Sequence, residues 1–180
     1  MTTMLLVAHA TAAGIALPLG AYQLFRKRKG DARHALVGRV WVALMLWVAL
    51  SSFAIRDINH GGFSFLHVLS VVTLVALARG MWTVRRGNIS GHRGAMRGSW
   101  LGLLGAFVGA VAVPDRALPT FALTNPAGAL AAAAAVLVTS WVVIALGGLL
   151  ADRADGARTR SARTGCGLRR RGRQGDRRAR

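Results

Sequence analysis

Five apolar runs of membrane-spanning length decide what this chain can fold into: Met4–Leu24, Ala35–Ile55, Phe63–Val84, Met96–Val113 and Pro126–Leu150. Crossing ~30 Å of hydrocarbon takes about 20 apolar residues. In lipid only helices and closed barrels satisfy every backbone polar group, and runs this long are helices. The fourth run is the shortest. The third carries Arg79 one turn from its end, where a long side chain reaches the interface. Hydrophobic residues make up 53 % of the chain and charged ones 17 %. That excludes an ordinary soluble domain, whose charged share is roughly one quarter, and is too rich in Leu, Val and Phe for general disorder.

The charge is lopsided, with 24 Lys and Arg against 6 Asp and a net +18. Its placement sets orientation, because short cytoplasmic loops collect basic residues. The first loop holds Arg26, Lys27, Arg28, Lys29 and Arg33, and the third holds Arg85, Arg86, Arg93 and Arg97. The second and fourth loops each balance one Arg (Arg56, Arg116) with one Asp (Asp57, Asp115). The first run has no basic residue before it and a basic cluster after it, the reverse of a cleaved signal peptide.

The expected fold is therefore all-α: a polytopic transmembrane helix bundle, amino end outside and carboxyl end cytoplasmic. Residues 1–113 form a four-helix core with spans at about 4–24, 35–55, 63–84 and 96–113. Residues 114–150 form an outer loop and a fifth transmembrane helix. Residues 151–180 form a disordered Arg-rich cytoplasmic tail. High Arg, Ala and Gly usage suits a GC-rich bacterial genome and a multi-pass protein of the cytoplasmic (inner) membrane. The tail has no aromatic residue to stack on a base, so nucleic acid is disfavoured. Contact with anionic lipid headgroups at the cytoplasmic face accounts for its arginines. The lone Cys166 excludes a disulfide framework.

There is no Glu, and no Asp falls within a span, which disfavours carboxylate proton relays and carboxylate metal cages. What remains is histidine. His9 and His67 stand 58 positions apart, as do His34 and His92, and the same shift carries Arg39 onto Arg97. This is a faint parallel repeat, spans one and two echoed by three and four. On the expected topology, His9 and His67 sit about a turn into helices one and three from the outside, while His34 and His92 open helices two and four inside. Neutral imidazole is an iron ligand of modest desolvation cost, and two axial imidazoles hold a haem. One b-type haem per leaflet would carry an electron across the bilayer. Arg39, Arg79 and Arg97 lie at the level of haem propionates.

Blander readings stand beside these. The Gly98/Gly102 and Gly105/Gly109 pairs suit close helix packing. The three arginines suit lipid phosphates. His34 and His92 lie at the hydrocarbon boundary, where a capping or headgroup role serves equally, and His60 reads as a solvated turn residue. Trp41, Trp82 and Trp100 read as an interfacial aromatic belt.

The segments His9-Ala-Thr-Ala-Ala-Gly14, Pro18-Leu-Gly20-Ala-Tyr-Gln23 and His34-Ala-Leu-Val-Gly38-Arg39, followed by Arg85-Arg86-Gly87-Asn88-Ile89-Ser-Gly-His92-Arg93-Gly-Ala-Met96-Arg97, resemble the domain-of-unknown-function 2306 family of bacterial predicted membrane proteins. The resemblance covers roughly residues 5–113 and leaves the fifth span unplaced. It implies a four-helix core similar to that of di-haem b-type cytochromes, with alternate helices carrying the ligands. His9, His34, His92, Arg39 and Arg97 fall on the family's pattern. His67 is not part of that pattern, and Gly94-Ala95 replaces its usual bulky aromatic residue.

Two functions follow as expectations. In one, haem b bound at His9/His67 and His34/His92 makes the protein a haem-dependent membrane oxidoreductase that exchanges electrons with a quinone or another redox partner. In the other, a non-redox transporter or interaction subunit uses the histidines for packing and headgroup contacts. The topology has its own test. A reporter fused after Leu150 is expected on the cytoplasmic side and one inserted at Asn59 on the opposite side; reversal of either overturns the loop-charge argument.

Overall fold

The computed structural model describes residues 2–55, 65–114 and 116–176. His60 and the loop charges Arg56, Asp57 and Asp115 lie outside the described residues. The chain forms α1 (Thr2–Phe25), α2 (Ala32–Ser52), α3 (Phe65–Arg85), α4 (Ile89–Ala112), α5 (Ala117–Thr124) and α6 (Pro126–Asp176). Among the described residues there is no strand, and all of these helices but α5 contain a stretch long and apolar enough to cross a membrane.

The helix starts are chemically marked. Asp31 caps α2 by accepting the His34 N–H at 2.8 Å, and Asn88 caps α4 by accepting the Gly91 N–H at 2.8 Å. These side-chain oxygens satisfy donors that a helix start leaves orphaned. Each cap follows a glycine in the left-handed region, Gly30 at φ +89° and Gly87 at φ +78°. Such a conformation is ready only for a residue without Cβ. At the end of α3, Asn88 N–H reaches the Thr83 carbonyl and Gly87 N–H the Val84 carbonyl, the paired bonds of a Schellman ending. The Asn88 cap also explains why α4 begins seven residues before the expected span: apolar content starts at Met96, but the helix starts at its cap.

α1 to α4 pack in a ring. α1 lies against α2 and α4, and α3 against α2 and α4, so α1 and α3, like α2 and α4, face each other across a diagonal. Its centre is filled by Leu19, Val37, Met45 and Leu77, with Ala16, Trp41 and Leu103 around them. Trp41 is only 4 % exposed and donates its indole N–H to the Ala16 carbonyl at 2.9 Å, while Trp100 donates to the Leu17 carbonyl at 2.9 Å. Gly20 makes room for both rings: a Cβ there would strike Trp100 and stand 2.6 Å from the Trp41 indole nitrogen. The aromatic-belt reading is thus corrected for Trp41 and Trp100, which lock the bundle from within. Trp82 faces outward, 54 % exposed, under the Arg86 guanidinium at 4.3 Å from its ring centroid.

α6 covers the α1–α2 side. Val136 sits on Gly14, Gly147 lies against Val37 and Gly148 against the Arg33 guanidinium, which also pairs with Asp152 at 3.8 Å. The helix continues to Asp176, where the sequence reading expected disorder from Ala151. The arginines beyond Leu150 favour helix, and Pro stands nowhere there to stop one. A second departure is α5, formed where an outer loop was expected; Leu118, Phe121 and Leu123 are exposed on it. Packing by the α4 glycine stripe is also corrected. Gly98, Gly105 and Gly109 open outward with nothing within 4 Å, and Gly102 alone meets a neighbour, Leu69 at 3.5 Å.

Gly20→Ala is expected to destabilise the protein by about 1–3 kcal/mol, the range for overpacking a filled core. Gly105→Ala, with open space at its Cβ, should not destabilise it and should gain up to about 1 kcal/mol from helix propensity. Unfolding of both variants in one detergent checks this. Equal stability of the two would contradict the placement of the indoles.

Candidate functional site

The histidines fall at the two ends of the ring. His34 and His92 lie at the end carrying the basic loops, within electrostatic reach of each other. His9 and His67 lie at the opposite end.

At the basic end each ring ties the start of one helix to the end of the helix before it. His34 Nδ1 lies 3.1 Å from Gln23 Oε1, while Gln23 Nε2 donates to the His34 carbonyl at 2.8 Å. The carbonyl can only accept, so the amide group of Gln23 is oriented with its oxygen toward the ring, and His34 Nδ1 carries the proton. Gly38, one turn along α2, keeps this side clear: a Cβ there would stand 3.1 Å from Gln23 Nε2. His92 Nδ1 lies 2.9 Å from the Gly80 carbonyl, again an acceptor only. α4 approaches closely there, with Met96 on Gly80. Gln23 and Gly80 fall one position from register under the 58-residue repeat, so the two hairpins share this device.

At the other end, His9 Nδ1 lies 2.8 Å from Ser51 Oγ, and that hydroxyl donates its own proton to the Val48 carbonyl at 3.2 Å. With that proton on Val48, Ser51 accepts from His9 Nδ1–H; with it turned to the ring, Ser51 donates to Nδ1 instead. His67, 6 % exposed, sets its ring against Phe53, centroids 5.8 Å apart. Next to it Ser52 and Ser70 share a 2.6 Å hydroxyl contact between α2 and α3. His9 and His67 thus both approach the short α2 segment from Ser51 to Phe53.

His9, His34 and His92 share one consequence. With Nδ1–H engaged by a neighbouring helix, the neutral ring keeps its lone pair on Nε2, the arrangement by which proteins orient a metal-ligating imidazole. This donor chemistry fits axial ligation of a b-type haem. The midplane is filled by side chains, and the histidines lie at the two ends. No group of three or more His, Cys, Asp or Glu able to hold a bare metal ion occurs among the described residues.

Arg39, Arg79 and Arg97 are exposed on helix faces. The cation taken inside is Arg26, which the sequence reading used only as loop charge. Its Nη2 pairs with Asp31 Oδ2 at 2.6 Å. Burial alone would raise the Asp31 pKa, but the His34 N–H bond and the Arg26 charge outweigh it and hold the carboxyl below its usual range. Gln23 was missed as well. The signal available for this end was the repeated Gly–Asx cap, Gly30-Asp31 and Gly87-Asn88, standing three or four residues before a histidine.

Residues 6–149 match the family described as predicted membrane protein (DUF2306), and the chain belongs to that family. The match extends past the four-helix core and takes in α5 and the first part of α6, so the fifth span is part of the family architecture. No curated protein and no solved structure matches the chain significantly.

Proposed function

We propose that this member of the DUF2306 family, an integral membrane protein, binds b-type haem at its histidine stations and passes electrons across the bilayer. The observation that carries the reading is the anchoring of three imidazoles by Nδ1, which leaves Nε2 free to ligate. Haem bound there would supply a one-electron carrier. The chain's own residues do the rest. Ser51, Gln23 and the Gly80 carbonyl hold the rings in one orientation and raise the basicity of Nε2. Leu19, Met45, Leu77 and Trp41 keep water out of the midplane between the stations. The basic end is the cytoplasmic one, in a bacterial inner membrane, by the distribution of loop charge. Exposed Arg39, Arg79 and Arg97 there suit anionic headgroups.

A second reading has its own support. Each of these three histidine bonds joins two different helices, so the same geometry serves a non-redox bundle that uses imidazoles as interhelical ties.

The absorption spectrum separates the two. Protein expressed with haem supply and purified in mild detergent is expected to show a Soret band, with sharp α and β bands on dithionite reduction. His92→Ala should remove the basic-end component, and His9→Ala or His67→Ala the other, with the protein still folded. A featureless visible spectrum from folded wild type would reject haem and leave the ties.

A further inference from the structure

Among the cations of the basic end, Arg26 stands apart. Its side chain is 11 % exposed, whereas that of Arg33 is 37 % exposed. Lys27, Arg28 and Lys29 beside it are exposed, and Lys29 bonds the Leu24 carbonyl at 2.9 Å. Arg26 follows α1 directly, its backbone N–H still bonded to the Tyr22 carbonyl at 3.0 Å and its guanidinium 5.6 Å from the Tyr22 ring centroid. Nη2 is committed to Asp31. Nη1 is buried and has no hydrogen-bond partner among the described residues.

A buried charged donor without an acceptor is unfavourable, and folded proteins rarely leave one so. Among the described residues no nearby carboxylate is spare. Asp31 already accepts from Arg26 through Oδ2 and from His34 N–H through Oδ1, and Asp152 faces Arg33. The local balance is positive, so the missing partner brings both acceptor oxygens and negative charge. A guanidinium fork matches phosphate oxygens, and this one lies where a spanning helix ends, at headgroup level.

We propose that Arg26 anchors a phosphate-binding site between the end of α1 and the first turn of α2, its Nη1 donating to an anionic phosphate oxygen. The phosphate is that of an anionic lipid or free inorganic phosphate. The site is independent of haem, since it needs no histidine as a ligand.

The test uses delipidated full-length protein in mild detergent, titrated separately with phosphatidylglycerol, phosphatidylcholine and inorganic phosphate, with bound molecules counted by native mass spectrometry. Wild type is expected to bind one of the phosphate-bearing ligands saturably. Preference for phosphatidylglycerol over phosphatidylcholine identifies a lipid source, and saturable binding of inorganic phosphate with no lipid preference identifies a free one. Arg26→Gln should weaken the preferred ligand at least tenfold, and Lys27→Gln, the same charge change one residue away, less than twofold. Equal losses in the two variants would mean diffuse surface attraction and overturn the site, as would binding unaltered by Arg26→Gln. If Arg26→Gln does not fold, Asp31→Asn decides. Asparagine keeps the helix cap but removes the competing carboxylate, so a phosphate site binds more tightly. An Arg26–Asp31 pair that is only structural gives no gain.

Discussion

Two indole N–H groups converge on consecutive carbonyls of one helix, Trp41 on Ala16 and Trp100 on Leu17, and the bundle is organised around that point. In a bilayer, hydrophobic contact gives little drive for helices to associate, since lipid tails are as apolar as leucine; close packing and interhelical hydrogen bonds supply it. The indoles provide both. They tie α2 and α4 to α1 beside Pro18, which cannot donate the backbone bond that an α-helix would direct to Gly14. Gly20 admits the two rings, and Leu19, Met45 and Leu77 close the space around them.

The histidines lie toward the two ends of the bundle, and there their hydrogen bonds cross between helices. His34 with Gln23 and His92 with Gly80 follow one pattern: the imidazole donates its Nδ1 proton to a neighbouring helix and keeps the lone pair on Nε2; His9 meets Ser51 of α2 through the same Nδ1. At the basic end the pattern recurs in both hairpins, α1–α2 and α3–α4, behind matching Gly–Asx caps. The functional reading rests on that tautomer. A ligand-holding imidazole and a mere interhelical tie share the Nδ1 bond and differ in what meets Nε2.

The spans were legible because length and hydropathy are all that crossing a bilayer demands. The histidines were legible because ionisable groups inside spans are rare. What each helix face meets was not. In lipid the outward face is as apolar as the inward one, so a hydropathy pattern carries little rotational information. Hence Trp41 resembles an interfacial belt residue yet is buried, Trp100 is half-buried with its indole bonded to α1, and Gly98, Gly105 and Gly109 resemble a packing seam yet open outward. For the same reason the inward cation, Arg26, is hidden in a run of four basic residues. α5 was missed because eight residues are too few to span, and the extension of α6 because charge was taken for disorder.

The most direct measurement is ¹⁵N NMR of the histidine rings in protein prepared without haem, assigned through His9→Ala, His34→Ala and His92→Ala. The Nδ1–H tautomer is expected at all three positions, with Nε2 unprotonated. Nε2–H rings at these positions would contradict the hydrogen-bond assignments and remove the basis for reading these histidines as ligands.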